Sequence, residues 1–288
     1  MIIDKLYENV EKKSCLCVGL DVSPEYIPES IKAKYNTLAE AIFQFNKRII
    51  DATFDIVSCY KVQIAYYEAL GIEGLFTYMK TLKYIKSLGG IVIGDIKRGD
   101  ISSTAKMYAK AHFEGDFECD FITLNPYMGF DSIEPYLEYV KNKNKGLFIL
   151  LRTSNPGAKD VQYIESKDNK KVFFHVGDEI HKISKDYKGE CNYSSIGAVV
   201  GCTYMEEAQN IRNSYKDMFF LIPGYGAQGG KAKDVALYLN NGNGGVVNSS
   251  RAILLAYKNY ENGELRFDEC SRFEVLKMKG EIESAIKL

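Results

Sequence analysis

The sequence predicts an α/β protein built as a single (β/α)8 TIM barrel. Eight short apolar runs rich in β-branched residues recur along the chain, each ending in polar or glycine residues. Stretches with helical periodicity separate them. The length, 288 residues, suits a fold that usually needs about 250.

The runs fall at 14–21, 56–63, 90–97, 121–125, 146–153, 195–201, 218–224 and 245–250. Near-continuous apolar strands of this kind suit a parallel sheet covered on both faces. Helical periodicity marks 38–54, 75–88, 103–117, 132–141, 173–187, 206–215 and 234–239, and a last helix over 272–286 closes the chain. Strand–helix alternation repeated eight times indicates the barrel, with a doubly wound open sheet as the alternative. The most polar interval, 165–171 (ESKDNKK), reads as a surface loop inserted after the fifth strand, and 240–245 (NNGNGG) as a turn. No linker divides the chain, so residues 1–288 form one domain.

Hydrophobic residues make up 46% and charged residues 26%, with a formal net charge of -1. That balance fits a soluble globular protein and gives no bulk attraction to nucleic acid or an anionic membrane. No apolar run approaches the ~18 residues of a membrane-spanning helix. The first ten residues are too polar for a signal peptide. Seven cysteines lack CxxC spacing and lie partly in apolar runs, which points to reduced thiols in a cytoplasmic protein. The histidines, His112, His175 and His181, show no metal-ligand spacing and are assigned no function.

Chemistry in a barrel gathers at the C-terminal strand ends, where side chains two apart share a face. Those ends carry Asp21 on the first strand, Lys61 and Gln63 on the second, and Asp95 and Lys97 on the third. Asp100 follows in the next loop, Asn125 ends the fourth strand, and the fifth runs into Thr153 and Ser154. Alone, Asp95 and Lys97 also fit a structural ion pair in the mouth. Two lysines and three aspartates at one mouth are costly to bury unless paired, but they make good preorganised electrostatics. Lys97, expected between two carboxylates, favours its ammonium form and so a proton-donating role. A Schiff-base lysine needs a desolvated or cation-flanked site, which argues against an aldolase.

On the opposite rim, 223–230 (PGYGAQGG) and then Asn248, Ser249, Ser250 and Arg251 occupy loop-to-helix junctions after the seventh and eighth strands. Those loops form the usual phosphate site of such barrels. Glycines let backbone amides approach a phosphate, and Arg251 can bind it through two parallel hydrogen bonds.

The segment 95–105 (DIKRGDISSTA) resembles the DxKxxDI…T signature of the orotidine 5′-monophosphate decarboxylases, in the Lys-Arg-Gly form of the type 2 branch. Segments 19–21, 61–63, 153–157, 223–230 and 250–251 follow in family order, so the likeness spans nearly the whole chain. The resemblance implies cofactor-free decarboxylation to UMP, with Lys97 protonating C6 and Asp95 facing the substrate carboxylate. It implies that Lys61 and Asp21 hold the charge network and the ribose hydroxyls. Ser154 would contact the pyrimidine, and Gln228 and Arg251 would grip the phosphate. Asp100, Ile101 and Thr104 would reach a neighbouring subunit's site, which implies a homodimer. Ser250 departs from the glycine that many members carry, and 159–172 is longer than in compact members. Two rivals are a sugar-phosphate enzyme with bound Mg²⁺, which Lys61 disfavours, and a non-catalytic barrel, which would have lost part of the charged ring.

Overall fold

The computed structural model describes residues 1–202, 205–226 and 229–287, Met205 by its backbone alone. Eight parallel strands close into one barrel in chain order. They are β1 (Leu16–Gly19), β2 (Cys59–Gln63), β3 (Val92–Arg98), β4 (Phe121–Leu124), β5 (Gly146–Arg152), β6 (Ile196–Val200), β7 (Phe220–Pro223) and β8 (Gly245–Ser249). The open-sheet alternative is excluded, because β1 pairs with β8 as well as β2. Most strands are one to three residues shorter than the apolar runs at one or both ends, whereas β3 runs one residue further, to Arg98.

The outer helices form where periodicity places them, and their buried residues explain why. In Leu38–Thr53, Ala41, Ile42, Phe45, Ile49 and Ile50 make one apolar stripe, and Thr37 accepts a hydrogen bond from the Glu40 amide at 3.2 Å as an N-cap. The closing helix, Phe267–Ile286, begins five residues earlier than its periodicity suggests. Phe267 stacks on Phe45 at 4.7 Å, and Arg48 grips Asp268 through bonds of 3.0 and 2.7 Å, so the last helix docks against the first of the ring.

Besides short four-residue turns of helix, one long helix has no counterpart in the sequence reading. Ile2–Lys12 buries Ile2, Ile3, Leu6 and Val10 and lies across the end of the barrel remote from the site. Its Asn9 amide donates to the Ser58 carbonyl at 3.0 Å, while Asn243 donates to the Tyr7 carbonyl at 3.2 Å. Both contacts precede strands, at β2 and β8, so the helix plugs the N-terminal face. The 165–171 interval is irregular as expected, but it is pinned: Glu165 and Lys171 form a bridge, and Lys171 reaches Glu207 at 2.8 Å.

All seven cysteines are free, and six are buried. Burial pushes the Cys15, Cys119 and Cys202 thiols up to about 12, so they pack as inert apolar groups. No described helix is long and apolar enough to cross a membrane.

Candidate active site

Strand β3 departs from regular pairing where it delivers its charged residues. Its register against β4 passes from Gly94↔Ile122 to Arg98↔Leu124, four residues facing two. Lys97 takes up the excess at φ 44, a left-handed conformation that disfavours a residue with a side chain by about 1–2 kcal/mol. Thr123 on β4 holds the bulge, because the Lys97 amide donates to its hydroxyl at 2.9 Å. That hydroxyl in turn donates to Asp95 Oδ1 at 2.9 Å. The bulge re-aims Lys97, whose Nζ donates to Asp95 Oδ1 at 2.6 Å.

Lys61 on β2 completes the array. Its Nζ lies 2.8 Å from Asp21 Oδ1 and 2.9 Å from Asp95 Oδ2. Asp95 and Lys61 are buried, whereas the Lys97 side chain is 45% exposed to the cavity. Desolvation works against charge on both buried groups, but their partners outweigh it. Asp21 and Asp95 hold the Lys61 ammonium above the usual lysine range. Lys61 and Lys97 hold the Asp95 carboxyl well below the usual carboxylate range.

The array lines a cavity of about 550 Å³ at the C-terminal strand ends. Ser154 lines it from the β5 loop, where Gly201 leaves room: a Cβ at Gly201 would fall 2.8 Å from the Ser154 Cβ. Arg251 lines the opposite rim, exposed and with no side-chain partner among the described residues. Asn248 and Ser250 line it from the end of β8, and Ser250 Oγ donates to Asp21 Oδ2 at 2.8 Å.

Three sequence expectations change. Lys97 meets one carboxylate among the described residues, not two, because Asp100 turns to accept from the adjacent Ile101 amide at 2.8 Å. Asp100 is half-buried, Ile101 and Thr104 are exposed, and none of the three lines its own chain's cavity, whereas the sequence places Asp100 beside Asp21 and Lys61. The Gly-rich turn is tighter than an open amide cradle. Gly226, Gly229 and Gly230 donate their amides within it, to the Gly230, Gly226 and Gly224 carbonyls, and positive φ at Gly224, Gly226 and Gly229 makes that turn possible. Gln228 lies outside the described residues.

Sequence reasoning missed Thr123, although its position two before Asn125 on one strand face was a usable signal. It also missed the buried Arg152–Glu207 pair (3.1 Å), which anchors β5 below Ser154 and draws on residues far apart in the chain.

Residues 14–264 match the model of the "Orotidine 5'-phosphate decarboxylase / HUMPS family". An orotidine 5'-phosphate decarboxylase of Clostridium botulinum (strain Kyoto / Type A2) is 65% identical over 279 residues, 97% of this chain and 98% of the relative. One from Clostridium tetani is 64% identical over 286 residues, covering 99% of each. Among solved structures, the OMP decarboxylase of Leishmania donovani aligns over 100% of this chain and 99% of its own with TM-score 0.78 and 28% identity. With matches this complete around a barrel mouth so charged, the chain belongs to the orotidine 5′-phosphate decarboxylase / HUMPS family.

Proposed function

We propose that the protein converts orotidine 5′-monophosphate to UMP and CO2 in de novo pyrimidine biosynthesis, without a metal or organic cofactor. The observation that carries this reading is the unbroken contact series Asp21–Lys61–Asp95–Lys97, in which Lys97 is the member most open to the cavity. It sits in a family whose close relatives are named for that reaction.

Arg251 and Gln228 hold the substrate phosphate, Ser154 meets the pyrimidine, and Asp21 and Lys61 meet the ribose. That placement directs the substrate carboxylate toward Asp95. The bond from C6 to the carboxylate breaks, its electron pair stays on C6, and the Lys97 ammonium stabilises that charge. The ammonium then gives C6 a proton, leaving a neutral amine that solvent reprotonates. Asp95, held strongly ionised by its two lysines, keeps the array charged throughout. Binding energy from the distant phosphate favours closure over the cavity and exclusion of water.

Residues 1–288 act as one domain, in the cytoplasm. Asp100, half-buried, and Ile101 and Thr104, both exposed, complete the site of a second subunit in a homodimer. A metal-dependent sugar-phosphate activity fits less well, because Lys61 Nζ fills the space between the Asp21 and Asp95 carboxylates that a divalent ion would need.

The test is direct: purified protein mixed with orotidine 5′-monophosphate should convert the ultraviolet spectrum of the orotate ring to that of uracil, equally in excess EDTA. An unchanged spectrum would refute the reaction, and loss of activity on chelation would favour the metal-dependent alternative.

A further inference from the structure

We infer that Ser250 is a positioning residue for Asp21, fixing the carboxylate that supports Lys61; the inference rests on the function proposed above. Each Asp21 oxygen has its own partner. Lys61 Nζ donates to Oδ1 at 2.8 Å, and Ser250 Oγ donates to Oδ2 at 2.8 Å. Two donors on different oxygens and different strands fix the plane of the group, which one donor would leave free to turn. Asn248 Nδ2 in turn donates to Ser250 Oγ at 3.4 Å, which leaves the single hydroxyl hydrogen for Asp21.

The backbone of β1 is shaped around this contact. Gly19, two residues before Asp21, offers no side chain where the hydroxyl passes, and a Cβ there would fall 2.0 Å from Ser250 Oγ and 2.9 Å from Asn248 Oδ1. The arrangement matters because the Lys61 side chain is 5% exposed and depends on two carboxylates to remain charged. If Asp21 turned away, the buried ammonium would keep one partner, and the removal of a partner from a buried ion is where such arrays are most sensitive. Ser250 also precedes Arg251 directly, so one two-residue step at the end of β8 serves both the ion array and the phosphate rim.

The experiment compares wild type, Ser250→Ala, Asp21→Ala and the double variant in decarboxylation and in UMP binding by calorimetry. Ser250→Ala should lower kcat/KM by about tenfold to a hundredfold, the usual worth of a hydrogen bond to a charged group. In the Asp21→Ala background the same substitution should cost less than about threefold, because its target is gone. Losses that multiply in full would overturn the inference, since Ser250 would then act by some other route. A crystal structure of Ser250→Ala gives a second readout that needs no turnover. There the Asp21 carboxylate should have rotated off Lys61, and an unmoved carboxylate would overturn the inference. Wild-type protein that failed to decarboxylate would refute the proposed function, while that crystal structure still decided the role of Ser250.

Discussion

The two rims of the barrel mouth differ in how far they are finished. On the β1–β3 side every charged atom of the array has a protein partner between 2.6 and 2.9 Å, and Lys61 and Asp95 at its centre are buried. On the β7–β8 side Arg251 is exposed without a side-chain partner among the described residues, and the neighbouring glycine amides bond within their own turn. Two arginines show the contrast. Arg212, also near the ring of strands, is buried and donates to carbonyls of Tyr238, Met218 and Gly244, each at 2.8 Å. Arg212 is finished by the fold, and Arg251 is left for something else. The difference assigns tasks: a prebuilt ion array needs no reorganisation during reaction, whereas an unsatisfied cation gains its partners only when a ligand arrives.

The largest effect should come from breaking the finished rim at its most open member. Lys97→Ala should reduce turnover by about four orders of magnitude, at the upper end for a general acid, while UMP binding stays measurable and the melting temperature changes little. Near-normal decarboxylation would remove Lys97 as proton donor. Lys61→Met acts deeper, leaving Asp95 and Asp21 facing one another without their shared cation. A loss of about 3–5 kcal/mol in denaturant titrations is expected.

The same variant sharpens the pH dependence. The Asp95 pKa is lowered on folding, so its contribution is fully present above the ordinary carboxylate value of about 4 and is lost as pH falls through the folded value. The Lys61 pKa is raised, so its contribution is present below about 10.4 and is lost as pH rises through the folded value. Between these limits neither contribution changes with pH. In Lys61→Met the depression of Asp95 weakens, and acid unfolding should begin at higher pH than in wild type. An identical acid midpoint would mean that Lys61 does not hold Asp95 ionised.

On the open rim, Arg251→Ala should weaken UMP binding by about tenfold to a hundredfold and leave uridine binding unchanged. Equal losses for both ligands would take Arg251 away from the phosphate.

The two rims were not equally legible in the sequence. Asp21, Lys61, Asp95 and Lys97 could be assembled from the period of two along strands and the rule that barrels use their C-terminal ends, and the structure brings them together. The bulge at Lys97 could not, because it depends on pairing with β4 and on the Thr123 hydroxyl. Nor could the direction of Asp100, whose distance from Lys97 in sequence says nothing about which way the intervening turn faces. The N-terminal plug was missed because its apolar face, Ile2, Ile3, Leu6 and Val10, is interspersed with lysine and glutamate and reads as polar on average. On the open rim, glycine content suggested free amides, but the structure uses those glycines for their positive φ.

Ionic strength separates the rims with the smallest effect and the least disturbance. Salt screens an exposed charge strongly and a buried pair weakly, since the screening length shrinks from about 30 Å at 0.01 M to about 3 Å at 1 M only where ions can enter. Raising NaCl should therefore weaken UMP binding a few-fold, and most of that dependence should vanish in Arg251→Ala. The stability difference between wild type and Lys61→Met should stay constant over the same range, because Lys61 is sealed from solvent between its carboxylates. If the Lys61 contribution were screened as strongly as UMP binding, the array would be reachable by ions, and the contrast between a buried, prebuilt rim and an open, waiting one would collapse.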